Sequence, residues 1–378
     1  MKNPSEYLPA PEEAPAPPLK PLNIWRPSQF LAWEEPPGMH LLLPKFVSKG
    51  ALTALIGQGG LGKTRVALWL AINQILRRSW CDLNTGGEPE RWLVLGSENS
   101  ISRFKDDLEK ILSGLTEDER SRVDELLRLQ AVEDVEDMDL NLGDLVTRAR
   151  VKLTIEQWAP GGLILDPLGD FAPGDISKPG EMREAIRLLL SIVRAAAPKA
   201  ANLLLHHARP GRSNILQSVG YDAANFGTGG KALFASARCV MNLAPGAADD
   251  DTRLLLHCAK ANNCQRFETR GLIFDPKTFG YAVDPDFNLE VWQAGVEGKA
   301  RSGGSLCAVV DVVAAVRDGY STTKTLIEHL MDVFQASKRS AERLINKAVD
   351  CQGIKKFTRG KYMLGPKAER LLDAESCK

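Results

Sequence analysis

Between residues 50 and about 283, short unbroken apolar runs alternate with longer stretches in which apolar residues recur at every third or fourth position. ALTALIG (51–57), RWLVLGSE (91–98), GGLILDPL (161–168) and ANLLLHH (201–207) have the length of strands. KTRVALWLAINQIL (63–76), ISRFKDDLEKILSGL (101–115) and EMREAIRLLLSIVRAAA (181–197) carry helical spacing. A strand that is apolar on both faces needs cover on both, so the pattern predicts an α/β fold with a mainly parallel sheet between helical layers. ARCVMNLAP and TRLLLHCAKA predict two further strands, a ribbon returning at the end of the sheet. The acidic stretch EDVEDMD (133–139) predicts a solvated loop.

The two ends of the chain follow other patterns. Residues 1–22 hold seven prolines and few large apolar groups, which predicts a disordered Pro-rich tail. Trp and Phe among prolines from Trp25 to Val47 predict a lead-in that packs on the following domain or on a neighbouring subunit. Beyond the Gly/Ser break GKARSGGS (298–305), CAVVDVVAAVR, TTKTLIEHLMDVF and SKRSAERLINKAV suggest three helices, and GIKKFTRGKYMLG suggests a basic hairpin. That arrangement is the outline of a winged-helix module. The expected domains are therefore 1–22, a P-loop domain with its lead-in over 23–297, and a winged-helix-like domain over 305–367.

The 378 residues carry 48 Lys+Arg and 48 Asp+Glu, so neutrality excludes coating of nucleic acid or membrane by bulk charge and leaves local patches open. One such patch exists: residues 299–367 contain thirteen Lys/Arg against six Asp/Glu. In a winged helix, Lys338, Arg339 and Arg343 would lie near the start of the recognition helix, capped by Ser337, with KKFTRGKY as the wing on DNA. Seven cysteines without a CxxC pair fit reduced thiols. No secretory leader and no 18-residue apolar run is present, so the expected location is the cytoplasm, without a membrane partner.

GQGGLGKT at residues 57–64 satisfies GxxxxGK[ST] between a predicted strand and a predicted helix. Gly57, Gly59, Gly60 and Gly62 let successive N–H groups turn inward around phosphate, Lys63 reaches the β/γ-phosphates, and Thr64 offers a hydroxyl to Mg2+. The expected cofactors are ATP and Mg2+. Asp166 ends the run GGLILD and is expected at the carboxyl edge of its strand, near the metal. Glu98 ends WLVLGSE and is expected across the γ-phosphate, where a carboxylate polarises water. His206 and His207 end LLLHH and point to opposite strand faces, so one of them is expected to sense the γ-phosphate.

The order GQGGLGKT, LGSEN, LILDPLGDF, LLLHHARPG and FGTGGKALFASAR, with its lead-in, resembles the RecA-like ATPases of the plasmid RepA type, hexameric replicative helicases related to the DnaB group. The similarity spans about residues 23–283. It implies a RecA-like fold, a homohexamer and ATP-driven translocation or unwinding on single-stranded DNA in replication or recombination of a plasmid or mobile element. It further implies Glu98 as catalytic carboxylate, Asp166 as the second carboxylate near Mg2+, and His207 as the sensor. Residues 208–230 become a mobile DNA-facing loop with Arg209 and Arg212 on phosphates. Lys260 corresponds to a basic residue that reaches a neighbouring subunit's γ-phosphate. Relatives of the DnaB group carry a Lys-x-Arg pair there, whereas Lys260 is followed by Ala261 and Asn262, which brings in Arg266 and Arg238 as further candidates. A reading from another class is a DNA-bound, ATP-dependent switch, a recombination mediator or regulator that does not unwind.

Overall fold

A computed structural model describes residues 21–209, 215–229, 231–247, 250–303, 309–334, 338–358 and 360–373. The chain divides into two units, residues 1–37 and 38–378. In the first, α1 (Pro27–Leu31) buries none of its residues. The apolar groups on either side of Pro37 differ. Leu22, Ile24 and Leu31 are exposed, whereas Leu41, Leu42 and Val47 on the paired strands β1 (His40–Leu42) and β2 (Val47–Ser48) are fully buried.

The elements then run β3 (Leu52–Gly57), α2 (Lys63–Ile75), β4 (Trp92–Leu95), α3 (Ile101–Ser113), α4 (Glu117–Leu126), β5 (Leu127–Leu129), α5 (Val135–Met138), α6 (Leu145–Trp158), β6 (Gly162–Leu165), α7 (Leu168–Phe171), α8 (Pro179–Ala196) and β7 (Ala201–His207). They continue with α9 (Lys231–Ser236), β8 (Cys239–Pro245), β9 (Arg253–Ala261), β10 (Arg270–Phe274), β11 (Tyr281–Val283) and α10 (Leu289–Gly303). One nine-stranded sheet has the order β11-β10-β9-β8-β3-β7-β6-β4-β5. It is parallel from β8 to β5 and antiparallel from β8 to β11. The expected return ribbon is thus corrected: β8 is a parallel neighbour of β3 inside the sheet, and only β9 turns back.

Period-two alternation sorts the strand residues into two cores. Leu55, Val94, Ile164, Leu203 and Leu205 pack with Val66, Leu70 and Ile72 of α2, Phe104 and Ile111 of α3 and Val123 of α4. Ala54, Ile56, Leu93, Leu163, Leu165 and Leu204 pack with Val151 and Ile155 of α6, Met182, Ile186 and Leu189 of α8 and Leu233 of α9. Each run that reads as wholly apolar supplies both faces, as the pattern requires. The carboxyl ends of β3, β7, β6 and β4 open on one edge, where the crevice of such sheets lies.

Two other expectations are revised. The acidic segment 133–139 contains α5 and is tied down: Arg150 forms an ion pair with Asp137 and donates to the Glu136 carbonyl. The Gly/Ser break is helical through Gly303, at the end of α10.

Farther on lie α11 (Val309–Arg317), α12 (Thr323–Phe334), α13 (Lys338–Asp350), the antiparallel pair β12 (Ile354–Thr358) and β13 (Lys361–Leu364), and α14 (Ala368–Asp373). They enclose a core of their own, built from Val312, Val316, Leu326, Leu330, Ile345, Ile354 and Tyr362. No helix among the described residues is long and apolar enough to cross a membrane.

Candidate active site

The loop 57–64 leaves β3 and enters α2 through two left-handed glycines, Gly60 at φ 80° and Gly62 at φ 81°. L side chains rarely adopt that conformation, so glycine is required at both turns. Gly62 is the N-cap of α2 and offers no side chain to the first amides of the helix, which are left facing the loop. A side chain at Gly57 would meet the Leu243 carbonyl at 2.9 Å, whereas Gly59 and Gly60 border open space. Backbone donors, the positive end of a 13-residue helix and an open concavity fit a polyphosphate.

The side chains around the loop join in one network. Lys63, 7% exposed, donates to the Gln58 carbonyl at 3.0 Å and to His207 Nδ1 at 3.3 Å. An ammonium only donates, so Nδ1 is the acceptor and the ring proton sits on Nε2, which donates to Glu98 Oε1 at 3.1 Å. Thr64 Oγ1 donates to Asp166 Oδ2 at 2.5 Å, and Asn99 Nδ2 reaches the same oxygen at 3.4 Å. Burial lowers the pKa of Lys63 against the opposing pull of Asp166 and Glu98. Burial raises that of Asp166, while the hydrogen bond from His207 lowers that of Glu98.

The sequence-predicted residues Gly57, Gly59, Gly60, Gly62, Lys63, Thr64, Glu98, Asp166 and His207 therefore meet at one edge of the sheet. Glu98 stands three residues past the end of β4 rather than on it, because the strand stops at Leu95. Asp166 directly follows β6. A threonine hydroxyl beside a carboxylate oxygen suits a hard cation such as Mg2+, which takes few protein ligands and fills its shell with phosphate and water.

His206, the other member of the pair, turns inward: it is fully buried, its Nε2 bonds the Thr228 carbonyl at 3.0 Å, and burial lowers its pKa to about 4. The segment after β7 closes on itself at the strand tip. Ala208 N donates to Gly57 O at 2.8 Å, Arg209 N to Phe226 O at 3.0 Å, and Thr228 N to His207 O at 3.0 Å. Its returning half is not the freely mobile loop expected, since Ser218, Val219, Ala223 and Phe226 are buried and Asn242 donates to the Ser218 and Ala223 carbonyls. Arg209 is exposed at the base of the loop, while Arg212 lies outside the described residues.

Lys260 does not join the network. Its ammonium donates to the carbonyls of Phe234 and Ala235 at 2.6 and 3.3 Å, at the end of α9, and lies 5.2 Å from the Phe234 ring centroid. Arg266 donates to Ala259 O, and Arg238 is exposed. In the C-terminal module, Lys338 and Arg343 are exposed on α13, and Lys355, Lys356 and Lys361 are exposed on the hairpin. Arg339 lies on α13, and Ser337 lies outside the described residues.

Several residues of this edge carry no sequence signal. A cavity of about 1060 Å3 opens beside Gly59–Gly62, lined further by Arg65, Phe274, Tyr281 and Trp292. Arg65 comes from α2, and the other three come from β10, β11 and α10 some two hundred residues later, so no spacing announces them. Asp170 and Gln130, which hold the backbone beside Glu98, were equally silent.

A profile of the AAA_25 family, described as an AAA domain, matches residues 15–213, from within the Pro-rich stretch to just past the tip of β7. No curated protein matches. Among solved structures, the KaiC-like protein PH0186 from the hyperthermophilic archaeon Pyrococcus horikoshii OT3 is 14% identical. It covers 65% of this chain and 94% of its own at a TM-score of 0.44.

Proposed function

We propose, from the premise that this chain belongs to the AAA_25 family of AAA domains, that it is a P-loop ATPase of RecA-like fold and a hexameric DNA helicase or translocase of the RepA type. It would act on single-stranded DNA in replication or recombination of a plasmid or mobile element. The observation that carries this reading is the continuity at the tip of β7. His207 touches both Lys63 and Glu98, and the chain then passes directly into a loop whose base is bonded to Gly57 O. A change at the γ-phosphate position therefore has a covalent route of two residues to Arg209.

In this reading the amides of 59–63 and the Lys63 ammonium bind the triphosphate, and Thr64 with Asp166 holds Mg2+. The bound ion supplies charge neutralisation on the phosphate oxygens. Glu98, ionised at neutral pH, accepts a hydrogen bond from the attacking water and orients it in line with the β–γ bond. His207 releases Lys63 to phosphate and keeps its Nε2 proton for Glu98 or for a phosphate oxygen. Lys260 serves across the subunit boundary only after leaving the Phe234 and Ala235 carbonyls. Arg209 and Arg212 follow the DNA backbone without base contacts. Residues 305–367 act as a winged helix, with Lys338, Arg339, Arg343 and the hairpin lysines on duplex phosphates.

The test is ATP hydrolysis and strand displacement with and without single-stranded DNA, alongside mass determination in ATP. A motor shows DNA-stimulated hydrolysis and strand displacement that Lys63→Ala abolishes. Assembly and DNA binding in ATP without displacement would replace it with the non-unwinding switch.

A further inference from the structure

The loop that carries Glu98 is held at three consecutive residues, each by a different part of the chain. At Gly96 the N–H donates to Gln130 Oε1 at 3.1 Å, from the residue after β5 and its Leu129. At Ser97 both the N–H and the hydroxyl donate to one oxygen of Asp170, Oδ2, at 3.1 and 2.5 Å. At Glu98 the carboxylate accepts from His207. The backbone of Gly96 also lies against Asp166, so closely that a Cβ there would stand 1.8 Å from the Asp166 carbonyl oxygen. The loop thus has no freedom to drift toward or away from the Thr64–Asp166 pair.

From these contacts we infer that Asp170 is a positioning residue that sets Glu98 relative to Asp166, through Ser97. The inference rests on the reading of Glu98 as the water-orienting carboxylate. Asp170 is four residues after Asp166, in α7, so one short segment carries the carboxylate beside Thr64 and the anchor for the carboxylate across from it. Two donors of one residue converge on a single oxygen of Asp170, which fixes both the amide and the side chain of Ser97. Gln130 completes the support from the other side, its Nε2 donating to the Asp137 carbonyl at 2.7 Å. The hydrogen bonds of Asp170 go to Ser97, so its positioning action runs through the loop.

Misplacing a reacting group by about 1 Å costs on the order of a hundredfold in rate. Asp170→Asn keeps one acceptor and loses the charge. In the full-length protein it should lower kcat for ATP about 10- to 100-fold, with KM and the affinity for a non-hydrolysable ATP analogue changed less than about threefold. Ser97→Ala, which removes one bond and keeps the other, should lose about 3- to 10-fold, and Ser97→Thr should restore it. In a Glu98→Gln background, Asp170→Asn should change the residual rate no further, because a support has no effect once what it supports is gone. Unchanged kcat in Asp170→Asn beside an inactive Glu98→Gln would overturn the inference and leave the role of Glu98 standing. An equal loss in both backgrounds would also overturn it. Wild-type turnover in Glu98→Gln would remove both. Thermal melts identify an Asp170→Asn that fails to fold, and the Ser97 pair then decides alone.

Discussion

At the carboxyl edge of the sheet, Lys63 and Asp166 are 7% and 2% exposed and each is matched to partners within hydrogen-bond distance. In the C-terminal module Lys338, Arg343, Lys355, Lys356 and Lys361 stand in solvent on a small core of their own. Charge is used in opposite ways in the two places. A buried charge costs several kcal/mol unless its partners are fixed, so the P-loop edge has to be geometrically unique. An exposed charge costs little and contributes additively, so the module tolerates variation and responds to salt. Perturbing the first region should therefore give all-or-none effects on turnover, and, if the second binds DNA as proposed, perturbing it should give graded effects on DNA affinity.

The largest expected effect is that of Lys63→Ala, which removes the ammonium from the phosphate site and should lower ATP hydrolysis by about a thousandfold or more, read in a steady-state assay. Glu98→Gln follows, at about 100-fold or more in kcat with ATP binding retained; filter binding of nucleotide beside turnover separates the two. Gly96→Ala should destabilise the fold by roughly 3 kcal/mol and depress hydrolysis, since its Cβ would enter the Asp166 carbonyl; urea melts give the first and turnover the second.

The pH response of the buried region comes next. His206 has a folded pKa of about 4, below its unfolded value, so the unfolded chain binds more protons between pH 4 and 6.5. Stability from this residue is full above that window and is lost as pH falls through it, by about 2 kcal/mol from pH 7 to pH 5. Unfolding of the wild type and of His206→Gln, which keeps a donor and does not titrate, should show the gap between them narrow by that amount; a constant gap would refute it. Burial shifts Asp166 and Asp170 the other way, upward from the usual carboxylate value toward this window, so their contribution has the opposite sign and favours the folded state as pH falls; both variants share it, and it cancels in the gap.

The smallest change is expected in the exposed region. Replacing Lys338 and Arg343 with Glu should weaken duplex-DNA binding about tenfold and make its salt dependence shallower by about two counterions. Affinity that ignores both changes would make the module a protein-contact surface, and the comparison of two charge regimes would fail there.

Much of the site was legible in the sequence because its chemistry is contiguous or sits at a strand end. GQGGLGKT is one loop, and Asp166 and His207 each close an apolar run, so alternation alone brings them to the carboxyl edge. Glu98 was legible as a residue but not as a position, since nothing in WLVLGSE marks where β4 stops. Asp170 and Gln130 were not legible, because a hydrogen bond to a backbone amide leaves no spacing and both residue types are ordinary at a surface. The central place of β8 was missed for a related reason: a strand's apolar run does not say whether its neighbour runs parallel or antiparallel. The packed base of 218–229 was hidden by its glycines and polar residues.

The sequence by itself determined that this chain folds as a parallel α/β sheet around a phosphate loop, since periodicity and glycine placement act over a few neighbouring residues. It also determined that the basic excess lies in the last eighty residues. Only the tertiary structure decided which residues stand beside one another: that His207 links Lys63 to Glu98, that Asp170 and Gln130 fix the loop between the two carboxylates, and that Lys260 caps α9 within its own chain. Those pairings depend on strand order and on where each strand ends, which the packing of both sheet faces sets together and no local stretch encodes.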